Sequence, residues 1–166
     1  MFNWWRGIFN GYTFEGRGIV QKTLIYATDL NNGVLETAEN GIFEIKKMEE
    51  YTYNYIKSGG LFSFSKYYIS DSENAIFNND LKKNIVWAQH NLVTDSSFNE
   101  FDVIFCRNVM IYFNKELQDW VHNLLYESLI VSGYLGLGSK ESKIFSTNAQ
   151  SYEEVEPHIK LYKKIK

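Results

Sequence analysis

Apolar positions along the chain gather into short runs separated by polar stretches, and the spacing inside each run assigns an element. Leu24–Ala27 is a compact apolar run that ends in Thr28 and Asp29, which predicts a strand with Asp29 at its C-terminal end. After a polar turn, Asn31 stands where it can cap a helix, Val34, Leu35 and Ala38 share one helical face, and Gly41 can supply the left-handed stop. Residues 42–84 are more polar and read as an inserted helix and small β-subdomain. Within them a helix over Met48–Lys57 is ended by Gly59-Gly60, and Leu61–Ser70 suits one or two short strands. Strands follow at Asn84–His90 and Phe101–Cys106. The spacing of Leu117, Val121, Leu124, Leu125 and Leu129 predicts a helix over Asn114–Val131, stopped by Gly133. Tyr134–Gly138 and, after Pro157, Ile159–Ile165 complete the strands. This alternation predicts an α/β fold with a mainly parallel sheet, whose ligand-facing loops sit at strand C-terminal ends.

The first eighteen residues fit neither period. Six are aromatic and four are glycine, with no sustained helix or strand pattern. Elsewhere composition narrows the class. A chain of 166 residues with 45% hydrophobic and 17% aromatic residues is suited to one packed domain. Its single cysteine permits no internal disulfide and fits a reducing cytoplasm. The charge of −3 lacks the broad positive field of nonspecific nucleic-acid binding. No apolar run approaches the roughly 20 residues needed to span a bilayer, so direct membrane insertion is not expected. His90, His122 and His158 form no metal-ligand spacing, and no P-loop or zinc motif occurs.

The chemistry concentrates in Phe101–Phe113, FDVIFCRNVMIYF, together with TLIYATDLNNGVLETAENGIF, the turn HNLV, and YLGLGSKES. In this order and spacing, over about Thr23–Lys163, they resemble the catalytic domain of the chemotaxis-receptor glutamate methyltransferases. The resemblance implies an incomplete Rossmann-like class I methyltransferase sheet, mainly parallel with an antiparallel C-terminal strand, and S-adenosylmethionine as cofactor. It further implies methyl-ester formation on glutamate side chains of a chemotaxis receptor's cytoplasmic domain or a related signalling protein. A glutamate carboxylate, with a reference pKa of about 4.3, is already a nucleophile at neutral pH, so orientation matters more than proton transfer.

The same resemblance assigns roles to individual residues. It places Asp29 against the cofactor ribose, Asn91 and Leu92 around adenine, and Asn108 at the cofactor. Arg107 and Tyr112 become the catalytic pair, the first orienting a carboxylate by charge-assisted bonds and the second positioning substrate or donor by its hydroxyl. Ser139 and Glu141 shape the substrate side of the cleft. Taken alone, each has an ordinary reading: Asp29 as a helix-start residue, Asn91-Leu92 as a turn, Arg107 on the surface, Asn108 in a turn and Tyr112 in packing. Cys106 reads as buried strand packing and not as a nucleophile, since no Cys-His arrangement accompanies it.

The chain departs from the family upstream. A helical N-terminal domain, a first sheet strand and a Cys-Ser-Thr-Gly-Glu-Glu type loop are not readable. Yet permitted codons for Met1–Gly18, read one nucleotide later, can encode C-S-T-G-G-E-V-Y-S-M-A-I-L-L-K-E-E-G, close to the missing loop. Residues 1–22 are therefore expected to be an atypical segment, frameshifted or disordered, ahead of a partial catalytic domain over 23–166. Impaired transfer is expected with it. The alternative is a noncatalytic domain that binds a receptor or partner through the 42–84 insertion.

Overall fold

The computed structural model describes residues 23–142 and 146–166, and the expectations for residues 1–22 lie outside them. It divides at His90 into two units. In the first, β1 (Ile25–Asp29) pairs in parallel with β5 (Ile85–Gln89), placing Asp29 beside Gln89. α1 (Asn32–Asn40) begins where the Asn31 side chain accepts the N–H groups of Gly33 and Val34, and it buries Leu35 and Ala38. Gly41 ends it at φ 70°, with its N–H returned to the carbonyls of Thr37 and Ala38. Lys82 Nζ donates to the last carbonyls, Glu39 and Asn40, at 2.7 and 3.1 Å.

Between β1 and β5 lies a second, antiparallel sheet in the order β2-β4-β3, from Ile42–Glu44, Asn74–Phe77 and Tyr68–Ser70. Leu61–Ser70 yields one of its strands, preceded by a 3₁₀ turn at Phe64–Tyr67. α2 (Met48–Lys57) covers one face with Met48, Tyr51 and Tyr55, which pack on Phe64, Tyr67, Ala75 and Phe77. Several aromatic edges meet faces, as in Phe43–Phe77 at 5.2 Å between centroids, and the buried hydroxyls of Tyr55 and Tyr67 satisfy each other at 3.1 Å. Gly60 must be glycine. A Cβ there would lie 2.2 Å from the Tyr55 ring.

The second unit is a four-stranded sheet in the order β6-β7-β9-β8, from Phe101–Cys106, Leu129–Leu137, Leu161–Lys164 and Tyr152–Glu156. β6 and β7 are parallel, while β9 runs antiparallel to both β7 and β8. β8 therefore runs parallel to β6 and β7, and the C-terminal strand β9 is the one reversed strand of this sheet. α3 (Lys115–Glu127), capped by the Asn114 side chain on Leu117 N–H at 2.9 Å, packs Val121 and Leu125 against Cys106, Met110, Leu135, Leu137, Tyr152 and Tyr162.

One boundary differs from the periodicity. The helix stops at Glu127, and Leu129 opens β7 opposite Phe101. The next register pair is Val103 with Tyr134, so residues 130–133 bulge, with Ser132 at φ 70°, and Gly133 lies inside the strand instead of ending the helix. Among the described residues no helix is long and apolar enough to cross a membrane.

Candidate functional site

The parallel strands β6 and β7 end side by side at Cys106 and Leu137, and the candidate residues follow directly from both ends. This is where an α/β sheet presents ligand-facing loops. After Cys106 the backbone turns sharply. Asn108 takes φ 62°, a conformation asparagine tolerates better than most residues, and Val109 returns to the right-handed region at φ −108°, ψ −53°. A left-handed residue followed by a right-handed one points successive N–H groups into a single concavity.

The Glu141 side chain fills that concavity. Its Oε1 accepts from Val109 N–H at 2.8 Å and Met110 N–H at 2.9 Å. Its Oε2 accepts from Asn108 N–H at 2.9 Å and Gly138 N–H at 2.6 Å. Only 5% of Glu141 is exposed. Gly138 has to be glycine for this approach, since a Cβ there would lie 2.5 Å from Glu141 Oε2 and 2.9 Å from Asn108 N. Glu141, expected on the substrate side of the cleft, is therefore engaged with backbone. Ser139 and Lys140 beside it are exposed.

The same segment is held from its carbonyl side. Gln118 Nε2 on α3 donates to Met110 O and Phe113 O, both at 3.0 Å. One turn further along α3, buried His122 places Nε2 3.2 Å from Ser142 O, which ties down the Glu141 loop. Burial holds His122 below its ordinary value, partly offset by Ser142 and by the charges of Asp119 and Glu141. Neither Gln118 nor His122 was expected to act at the site from sequence; Gln118 lies on the polar side of the helical pattern, His122 is buried next to Val121, and the partners of both are main-chain carbonyls.

Arg107 and Tyr112 flank the clamped stretch. Arg107 is partly buried, and its Nε is shielded from solvent with no hydrogen-bond partner among the described residues. Its guanidinium thus retains donor capacity for an anion. Tyr112 is 74% exposed at the end of a 3₁₀ turn. Cys106 is buried, and desolvation together with the Glu141 charge pushes its thiol up to about 12, which removes it as a nucleophile near neutral pH.

Asn91 and Leu92 belong to the same unit. Asn91 closes its own turn, donating its N–H to Asp95 Oδ2 at 2.8 Å and accepting Val93 N–H on Oδ1 at 3.0 Å. That leaves its amide NH₂ as the group for a ligand such as adenine. Leu92 is half-buried against the core around Cys106 and Met110. Asp29 lies in the first unit, at the C-terminal end of β1. Its Oδ1 accepts Asn31 N–H at 2.9 Å, and its second oxygen has no partner among the described residues, which suits a ribose hydroxyl. No cluster of three or more His, Cys, Asp or Glu side chains gathers as a metal site among the described residues.

Comparisons with known proteins bear on the family of the chain. Residues 13–159 match the family model described as CheR methyltransferase, SAM binding domain. The chain is similar to the Pseudomonas putida protein named as methyltransferase Cher3, with 43% identity over 147 residues, covering 89% of this chain and 54% of that protein. A chemotaxis protein methyltransferase of Listeria monocytogenes is 30% identical over 122 residues, covering 70% of this chain and 42% of its own length. Chemotaxis protein methyltransferase 1 of Vibrio cholerae is 30% identical over 129 residues, with 75% and 44% covered. The chain spans about half the length of these relatives.

Proposed function

This chain belongs to the CheR methyltransferase family, and on that premise we propose that it methylates the γ-carboxylate of glutamate side chains in the cytoplasmic domain of a chemotaxis receptor. Its α/β fold is of the class I methyltransferase type, and its cofactor is S-adenosylmethionine. When bound, the cofactor supplies a methyl group activated by attachment to a positively charged sulfur.

The observation that carries the reading is the Arg107–Tyr112 segment, fixed at the C-terminal end of β6 with an arginine at one end and an exposed tyrosine hydroxyl at the other. Arg107 receives the substrate carboxylate and turns one oxygen toward the donor, a task for which a guanidinium fork is better suited than an ammonium. Tyr112 contributes a hydroxyl that fixes the approach direction. No proton has to be removed from a carboxylate with a reference pKa of about 4.3, so the segment's work is alignment. Asp29 holds the ribose, Asn91 and Leu92 frame the adenine, Asn108 borders the cofactor, and Ser139 lines the substrate side.

A second reading, a noncatalytic domain that binds a receptor or partner, is favoured by the β2-β4-β3 sheet. Ile42, Ile76 and Ile69 stand in register across its three strands, and all are exposed. Beside them lies an open depression of about 290 Å³ lined by Ile69, Ile76, Phe77, Asn78, Asn79 and Asp80. Transfer of labelled methyl from S-adenosylmethionine to a purified receptor cytoplasmic domain separates the two. Base-labile label on glutamate supports the enzyme, and an impaired enzyme shows it at a low rate. Saturable receptor binding with no transfer supports the second reading.

A further inference from the structure

Three consecutive N–H groups converging on one point form a ready-made anion site, the kind of backbone nest that elsewhere receives a phosphate or carboxylate ligand. At Asn108, Val109 and Met110 the site is already filled from within the chain, by a carboxylate 31 to 33 residues away in sequence that also takes Gly138 N–H. An ionised carboxylate offers about four lone-pair positions. Here four donors occupy both oxygens in pairs, and the side chain is buried.

We propose that Glu141 is a built-in anion occupying the backbone nest of the Arg107–Tyr112 segment, and that it is a positioning residue. It sets the directions of Arg107 and Tyr112 and leaves the Arg107 guanidinium as the receiver of a substrate carboxylate. The proposal rests on the methyltransferase reading for what those two side chains do. The clamp itself rests only on the geometry.

Two features argue against a passive packing role. An uncharged or apolar side chain at this position strands up to four N–H groups, those of Met110 and Gly138 in buried contacts, far more than ordinary packing requires. Gln118 grips the carbonyls of the same segment, so the Glu141 clamp is one half of a two-sided fixation that leaves the flanking side chains as the segment's outward groups. Because Gly138 admits no Cβ, the carboxylate and the Asn108 backbone meet at a distance that no other residue at 138 permits.

Removing the side chain and returning the anion tests this. In Glu141→Ala the backbone ¹⁵N–¹H resonances of Asn108, Val109, Met110 and Gly138 are expected to move away from their wild-type positions. Titrated formate is expected to bring them back saturably, whereas chloride at equal ionic strength does not. In the transfer assay kcat falls on the order of a hundredfold with little change in KM for S-adenosylmethionine, and formate recovers part of it. Glu153→Gln, an exposed carboxylate on β8, serves as the control with no change. If Glu141→Ala fails to fold, Glu141→Gln keeps the volume, and some of the four amides are expected to shift while others hold. Four wild-type amide positions in either variant, or a folded Glu141→Ala that formate does not restore, overturns the proposal. An inactive wild-type chain counts against the functional reading alone, and the amide recovery then decides the clamp.

Discussion

Burying a carboxylate costs several kcal/mol of desolvation, and at Glu141 four N–H donors repay it, which makes this side chain the most committed charge of the site. Its field reaches Cys106, where burial acts first and Glu141 second to hold the thiol protonated. The sign follows directly. The native state retains the proton to about pH 12, whereas the unfolded chain releases it near 9, so stability falls as pH rises through that window. Cys106 is therefore expected to resist a thiol reagent at pH 8 until the protein unfolds; rapid native labelling would refute the burial. Asp29 makes a separable prediction. Asp29→Asn keeps an oxygen for Asn31 N–H and should melt like wild type, yet lose about 1–3 kcal/mol of S-adenosylmethionine affinity by titration calorimetry. Unchanged affinity rejects its ribose role.

At the scale of elements, α3 does more than cover the sheet. Its apolar face packs Val121 and Leu125, while Gln118, Asp119, His122 and Asn123 reach four loop positions: Met110 with Phe113, Thr147, Ser142 and Asn148. His122 is held neutral by burial. Below pH 6.5 the unfolded chain takes up this proton first, so the contribution present above 6.5 is lost as pH falls through the depressed native value. Melts at pH 5 and 7 should show a smaller acid loss for His122→Gln than for wild type. The corner after α3 explains one limit of the sequence. Strands β5 and β6, the Asn31 and Gly41 caps and the end of α2 were legible because their signals are local. The end of α3 was not, because Leu129 continues the helical spacing, and the group that takes the Tyr126 and Leu129 carbonyls is Lys164 Nζ, 35 to 38 residues away. Lys164→Met should cost about 1–3 kcal/mol in denaturant unfolding. The strands β2 and β4 were missed because runs of three and four residues carry too little alternation to stand out, and β8 because its two apolar residues, Tyr152 and Val155, are three apart and break the alternation.

For the molecule as a whole, the motif around Arg107 and the order of the elements were enough to place the family, and the match over residues 13–159 shows it. What sequence alone could not supply was the working relation between the motif's parts. Asn108 and Glu141 read as separate candidates and Gly138 as the end of a strand, yet the structure makes them one contact. Glu141 binds main-chain groups that every sequence possesses, so nothing in its neighbours' identities announces the partnership. The chain's span of about half its relatives' length puts the activity itself to experiment. The most direct measurement is methyl transfer by the full 166-residue chain, with S-adenosylmethionine and receptor cytoplasmic domain both saturating. Base-labile label on receptor glutamate that disappears with Arg107→Ala is the expected result. No label from the wild-type chain, or undiminished label from Arg107→Ala, contradicts the account.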